Sequence, residues 1–251
     1  LRGPATTAAT HSPAPPQGPA PGGPYGFGVG LGAQLRPGDC VFALWSGEKL
    51  ASTPKLSLTG CSKDSPDGQV LASPAVTAVA EAKAACERET AAVVGKLAEG
   101  VSYALPPSAE AWDRGLRNVA CLVFSRSGAG IGGPLGAFRK RGESLLLQNA
   151  QLGDCTDYAK DKQGNELMHL LDCNRTHRQQ IVGFVRTDDR KKGWDLCMKQ
   201  YKAAWIRDDS MTLNSWTPGD TTFEAGFHFA LCALVRTRAP DLSQPIAPKT
   251  N

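Results

Sequence analysis

Two sets of four cysteines constrain this chain more than any other feature. They fall at 40, 61, 86 and 121, then at 155, 173, 197 and 232. The gaps are 21, 25 and 35 in the first set and 18, 24 and 35 in the second. Each set opens on Gly-Asp-Cys, at Gly38-Asp39-Cys40 and at Gly153-Asp154-Cys155. Near the end of each set a glycine, Gly115 or Gly226, stands six residues before the last cysteine. A frame repeated in this way is the mark of an internal duplication, with each copy one supersecondary unit. The chain has neither Cys-x-x-Cys nor a close Cys/His cluster, which argues against zinc and thioredoxin-like chemistry and for structural disulfides made in an oxidising compartment.

Each unit reads in the same order. The first cysteine opens a strand, and in "CVFALW" period-two alternation puts Val41, Ala43 and Trp45 on one face. A second strand follows the second cysteine, and the fourth cysteine sits in a last strand, "NVACLVF" or "HFALCALV". The third cysteine lies on a helix. Val79, Ala82, Cys86, Val93 and Leu97 share one helical face in the first unit, and Trp194, Cys197, Tyr201 and Ala204 do so in the second. The expected fold class is therefore α+β: two tandem, homologous, disulfide-stapled modules, each an antiparallel sheet packed by one main helix. The order is β–β–α–β with room for one extra strand.

Composition sets the expected boundaries. Residues 1–34 start with seven Pro and seven Gly in the first thirty positions and read as a disordered stalk. Module one is then 35–125 and module two 147–238. Between them, 126–146 reads as a Gly/Arg-rich linker, and 239–251 as a frayed tail. The "GAGIGG" string in the linker follows no strand–turn–helix pattern, so it does not read as a phosphate loop.

Charge narrows the function classes. The chain carries +4 overall, but residues 38–125 sum to −2 and 153–238 to +1, so neither module has the basic footprint of a nucleic-acid binder. No apolar run is long enough to span a bilayer. The chain begins at Leu1, not Met, and reads as a fragment whose membrane anchor would lie upstream. Neither Gly-x-Ser-x-Gly nor His-Glu-x-x-His occurs, and no catalytic residue, cofactor or metal is expected. Asp39 and Asp154 read as turn residues whose carboxylates take nearby backbone N–H groups.

Gly-Asp-Cys on a first strand, a second Cys before a polar turn, a helical Cys and a Trp-x-x-Gly before a closing Cys together resemble the septum-formation domain family. The matching residues are Gly38, Asp39, Cys40, Cys61, Cys86, Trp112, Gly115 and Cys121, then Gly153, Asp154, Cys155, Cys173, His177, Cys197, Gly226 and Cys232. The resemblance covers 35–125 and 147–238. It implies an actinobacterial envelope protein at the extracytoplasmic face of the membrane, tethered there and engaged in cell division. It brings no reaction with it.

Four cysteines per unit admit three pairings. The equal 35-residue gap favours third with fourth, hence Cys40–Cys61, Cys86–Cys121, Cys155–Cys173 and Cys197–Cys232. The candidate partner contacts are His177 with its neighbours Arg175 and Arg178, then Trp216 in a loop signature, and Trp112. Core packing claims Trp194 and Trp45. The leading expectation is a non-enzymatic ectodomain that binds a protein or peptidoglycan component. The alternatives are the ligand-sensing part of a receptor such as a Ser/Thr kinase, and an envelope hydrolase acting through His177.

Overall fold

The computed structural model describes residues 22–62, 65–160, 162, 166–238 and 240–249. The first half of the chain builds a five-stranded antiparallel sheet from β1 (Cys40–Leu44), β2 (Lys55–Thr59), β3 (Gly68–Ala72), β4 (Gly100–Leu105) and β5 (Ala120–Ser125). Helix α1 (Ala82–Val94) lies between β3 and β4, and a short α2 (Ala109–Asp113) between β4 and β5. The second half adds an edge strand β6 (Ser144–Leu145), then repeats the series: β7 (Cys155–Lys160), β8 (Glu166–Leu171), β9 (Gln179–Arg186), α3 (Gly193–Trp205), β10 (Met211–Trp216), α4 (Asp220–Glu224) and β11 (Phe229–Arg236). The strand orders are β2-β1-β3-β5-β4 and β10-β11-β9-β7-β8-β6, so apart from β6 the two sheets share one topology. Apart from β6, each half thus holds two more strands than the four-element order required, together with a short helix. Those strands, β2 and β4 or β8 and β10, pair at or next to the sheet edges, where alternation is weak.

Four disulfides join Cys40–Cys61, Cys86–Cys121, Cys155–Cys173 and Cys197–Cys232, the pairs expected from the spacing. Cys86 on α1 and Cys197 on α3 are fully buried against the strand cysteines Cys121 and Cys232, so each main helix is riveted to its last strand. In the loop-entropy account, closing a 35-residue loop contributes about 4 kcal/mol. The other bridge in each half clips the start of the first strand to the polar turn.

Gly-Asp-Cys turns out to be a structural punctuation mark. Gly38 and Gly153 have φ of 100° and 88°, a region that a side chain rarely enters. Asp39 Oδ2 accepts the Arg36 N–H at 2.8 Å, and Asp154 Oδ2 accepts the Gln151 N–H at 2.8 Å. The Val70 N–H donates to Asp39 O at 2.9 Å and the Ile181 N–H to Asp154 O at 2.8 Å, so the same turn hands the chain to the same strand twice.

Three stretches that composition marks as loose are packed instead. Residues 22–34 lie on the first sheet: Tyr25, Val29, Leu31 and Leu35 join Val41, Leu56, Val70, Leu122 and Phe124 in one buried cluster. The Tyr25 hydroxyl accepts the Leu35 N–H at 3.1 Å, and burial pushes its pKa up to about 12. Residues 1–21 of the expected stalk lie outside the described residues. In 126–146, Ile131 and Leu135 bury against Val123, with Val93, Val94 and Leu97 of the α1 region alongside. Downstream, Leu145 and Ala150 pack under the second sheet with Met168, Ile181 and Leu231. The tail also docks, with Leu242 O accepting the His177 N–H at 2.8 Å and Ala204 O accepting the Lys249 N–H at 2.8 Å. Glycine and proline lower the propensity for strand and helix, but they do not prevent a few apolar anchors from burying.

Two buried glutamines hold the packed segments. Gln69 Oε1 accepts the Leu135 N–H at 2.7 Å, and Gln180 Oε1 accepts the Ile246 N–H at 2.7 Å. Both contacts span 66 residues, and both glutamines stand opposite the first cysteine of their half, Gln69 on Cys40 and Gln180 on Cys155. The halves also touch. The Leu152 N–H donates to Lys96 O and the Gly128 N–H to Ala225 O, each at 2.9 Å. The Arg139 guanidinium grips Asp154 with both arms, Nη2 to Oδ1 at 2.9 Å.

Candidate functional site

The two sheets diverge on one face. In the first sheet, strand register sets Gly68 opposite Phe124 and Tyr103 opposite Leu122. Trp45, Tyr103 and Phe124 fill this face as three mutually edge-on rings, with centroids 5.5–5.7 Å apart. Gly68 is required, because a Cβ there would stand 2.5 Å from the Phe124 ring.

The same register positions in the second sheet are polar or small. Gln179 faces Val235 where Gly68 faces Phe124, and Asn214 faces Ala233 where Tyr103 faces Leu122. Thr156 takes the place of Val41, and Tyr158 that of Ala43. The outcome is a cleft of ≈ 400 Å³ lined by Tyr158, Arg178, Thr212, Leu213, Asn214, Val235, Arg236 and Asp241. A second cavity of ≈ 380 Å³ adjoins it beneath the tail, from Pro240 to Ala247, and Arg236 and Asp241 form part of both walls.

Electrostatics within the cleft are nearly balanced. The Arg178 guanidinium lies 5.0 Å from the Tyr158 ring centroid, with its Nε 3.2 Å from Asp157 Oδ1. A hydrogen bond to Tyr158 and the charges of Asp157 and Asp241 push the Arg178 pKa further up. Arg236 differs, since its Nε is buried without a hydrogen-bond partner. Behind the cleft wall Gln179 Oε1 accepts the Trp216 indole N–H at 2.9 Å, while Gln179 Nε2 and Thr156 Oγ1 are buried and unpartnered. Buried donors left unmade cost about 1–3 kcal/mol each. On this face the second sheet therefore buries polar groups where the first buries aromatic rings.

Of the contacts expected from sequence, only Arg178 lines the cleft. His177 is 1% exposed under the tail, its Nδ1–H donating to Arg175 O at 2.7 Å, so it is a buried turn residue and cannot meet a partner. Arg175 is exposed and supplies that carbonyl. Trp216 belongs to β10 and not to a loop; it packs edge-on to Tyr158 at 5.9 Å, next to the cleft. Trp112 lies half-buried on α2, with the Arg117 guanidinium 4.2 Å over its ring. Trp194, expected in the core, is 50% exposed, and its indole N–H donates to Leu213 O at 2.9 Å. The helix face it shares with Cys197 and Tyr201 sets it against the edge strand β10. Tyr158, Thr212, Asn214, Arg236 and Asp241 carried no motif. The available signal was a column-by-column comparison of the two cysteine frames, in which hydrophobic positions of one copy become polar in the other.

Among the described residues, no group of three His, Cys, Asp or Glu side chains is placed to hold a metal ion, and no helix is long and apolar enough to cross a membrane.

A chain with this cysteine frame and paired antiparallel sheets matches the family described as septum formation, over residues 62–209. That stretch is more than half of the chain, and the protein belongs to the septum formation family. The match runs as one piece from the turn after Cys61 to the loop before β10, crossing both sheets rather than falling once on each. No curated protein and no solved structure matches. Family membership points to a role in cell division, and the four disulfides to an extracellular location.

Proposed function

We propose that this chain is a non-enzymatic extracytoplasmic binding module acting in septum formation, built from two copies of one disulfide-stapled unit that have divided their labour. One copy has an interior closed by aromatic rings. The other opens toward a ligand of the envelope. In this reading, an anchor outside the sequence tethers the protein to the membrane. One observation carries it: equivalent faces of two sheets with the same topology, packed with Trp45, Tyr103 and Phe124 in one and opened to a polar cleft in the other. A cavity lined by a few convergent polar groups is the ordinary form of a ligand site.

Cell biology tests it. Cells lacking the gene should show lengthened or misplaced septa, and the chain exported to the envelope should restore them. The same chain kept in the cytoplasm, where its disulfides stay reduced, should not. Normal septation in the deletion, or rescue from the cytoplasm, would refute the proposal.

A further inference from the structure

The chemistry of the cleft selects among envelope ligands. Its wall offers Tyr158, Arg178, Thr212, Asn214, Arg236 and Asp241. Donors outnumber acceptors. Asn214 Oδ1 is already used by the Ser215 N–H at 2.9 Å, so what Asn214 adds to the wall is its amide N–H donors. Asp157 and Asp241 offset the charge of Arg178, and Arg236 has Asp208 nearby while its buried Nε keeps no hydrogen-bond partner. Because Arg236 lines the cleft, its guanidinium suits one carboxylate. A hydroxyl, an amide and a carboxylate beside an aromatic ring suit the hydroxyls and C–H face of a sugar. At ≈ 400 Å³ the cleft lies at the small end of ligand pockets, which run from about 300 to about 1,000 Å³.

We propose that the cleft binds an acidic saccharide, a sugar ring bearing one carboxylate. Arg236 receives the carboxylate, while Thr212, Asn214 and Asp241 receive the ring's polar groups. A polyanion is disfavoured, because Asp157, Asp208 and Asp241 offset much of the charge of Arg178 and Arg236. The idea rests on the reading of the chain as a binding module and gives that module its ligand class.

Calorimetric titration of the intact, oxidised chain tests it. The probes are D-glucuronate and N-acetylmuramate, their uncharged counterparts D-glucose and N-acetylglucosamine, and the dipeptide N-acetyl-D-alanyl-D-alanine. Each acidic sugar should bind at least about tenfold more tightly than its uncharged counterpart, the size of one charge-assisted hydrogen bond. Arg236→Gln should remove that advantage, bringing each acidic sugar to the affinity of its uncharged counterpart in the same variant. Asn214→Tyr, which copies Tyr103, should close the cleft and abolish binding of both acidic sugars. Circular dichroism and the mass of four intact disulfides show that each variant is folded. Equal affinity for charged and uncharged sugars would overturn the site, as would binding of the dipeptide alone, or no binding of any probe up to roughly 10 mM. If the deletion phenotype holds while every sugar fails, the site falls and the septal role stands.

Discussion

The two halves of this protein solve one folding problem with opposite interiors. In the first, Gly68 makes room for Phe124, and Trp45 and Tyr103 complete an aromatic plug beneath the 22–34 segment. In the second, Gln179 occupies the glycine's position, Val235 is too small to replace the ring, and a cleft remains. Everything around these positions is shared: the Gly-Asp-Cys turn, the two bridges, the strand order and the glutamine that pins a distant segment. Two sheets of one topology thus differ in aromatic packing, while disulfides and straps carry part of the stability of each. Polar groups can then collect where a core would otherwise be.

The sharpest test sets Phe124→Ala against Val235→Ala in separate urea titrations. Removing a ring from the plug should cost about 3–5 kcal/mol, and trimming the half-exposed valine about 1 kcal/mol. Equal costs would show that both faces are packed alike. A smaller effect comes from Tyr25, whose phenol is held neutral by burial beneath the first sheet, with a pKa near 12 against 10 for the free group. The folded pKa is the higher one, so this stabilisation is complete below pH 10 and is lost as pH rises from 10 to 12. It amounts to about 2–3 kcal/mol. Tyr25→Phe should remove that portion of the alkaline decline, measured as unfolding free energy against pH. If the variant and the parent fall in parallel, the phenol is not buried. Smallest are Gln69→Leu and Gln180→Leu, each expected to cost about 1–2 kcal/mol by leaving strap backbone groups unpaired. Hydrogen exchange should quicken at Leu135 in the first variant and at Ile246 in the second, with neither affecting the other half. Exchange that rises in both halves together would mean that the straps are not independent.

Much of the scaffold was legible in the chain. The cysteine gaps pointed to two similar units and favoured, among three pairings in each, the four bonds that the structure shows, because loop length is a property of sequence and each bond closes within its own unit. The roles of Gly38 and Asp39 followed from turn chemistry, which is local. The packed segments were not legible, since the Pro/Gly content around Tyr25, Ile131 and Leu242 masks a few anchors whose partners lie far along the chain. His177 misled for a related reason: its polar neighbours marked a surface turn, and the tail that buries it comes 65 residues later.

The site itself belongs to tertiary structure. Tyr158, Asn214, Arg236 and Asp241 sit on three strands and the tail, and none has a neighbour in sequence that announces it. Sequence alone determined the covalent frame and the turns, which depend on residue type and short separations. Whether a face closes or opens was decided by the register that sets Gln179 against Val235 and Gly68 against Phe124, because packing volume is shared between strands and no single strand encodes it.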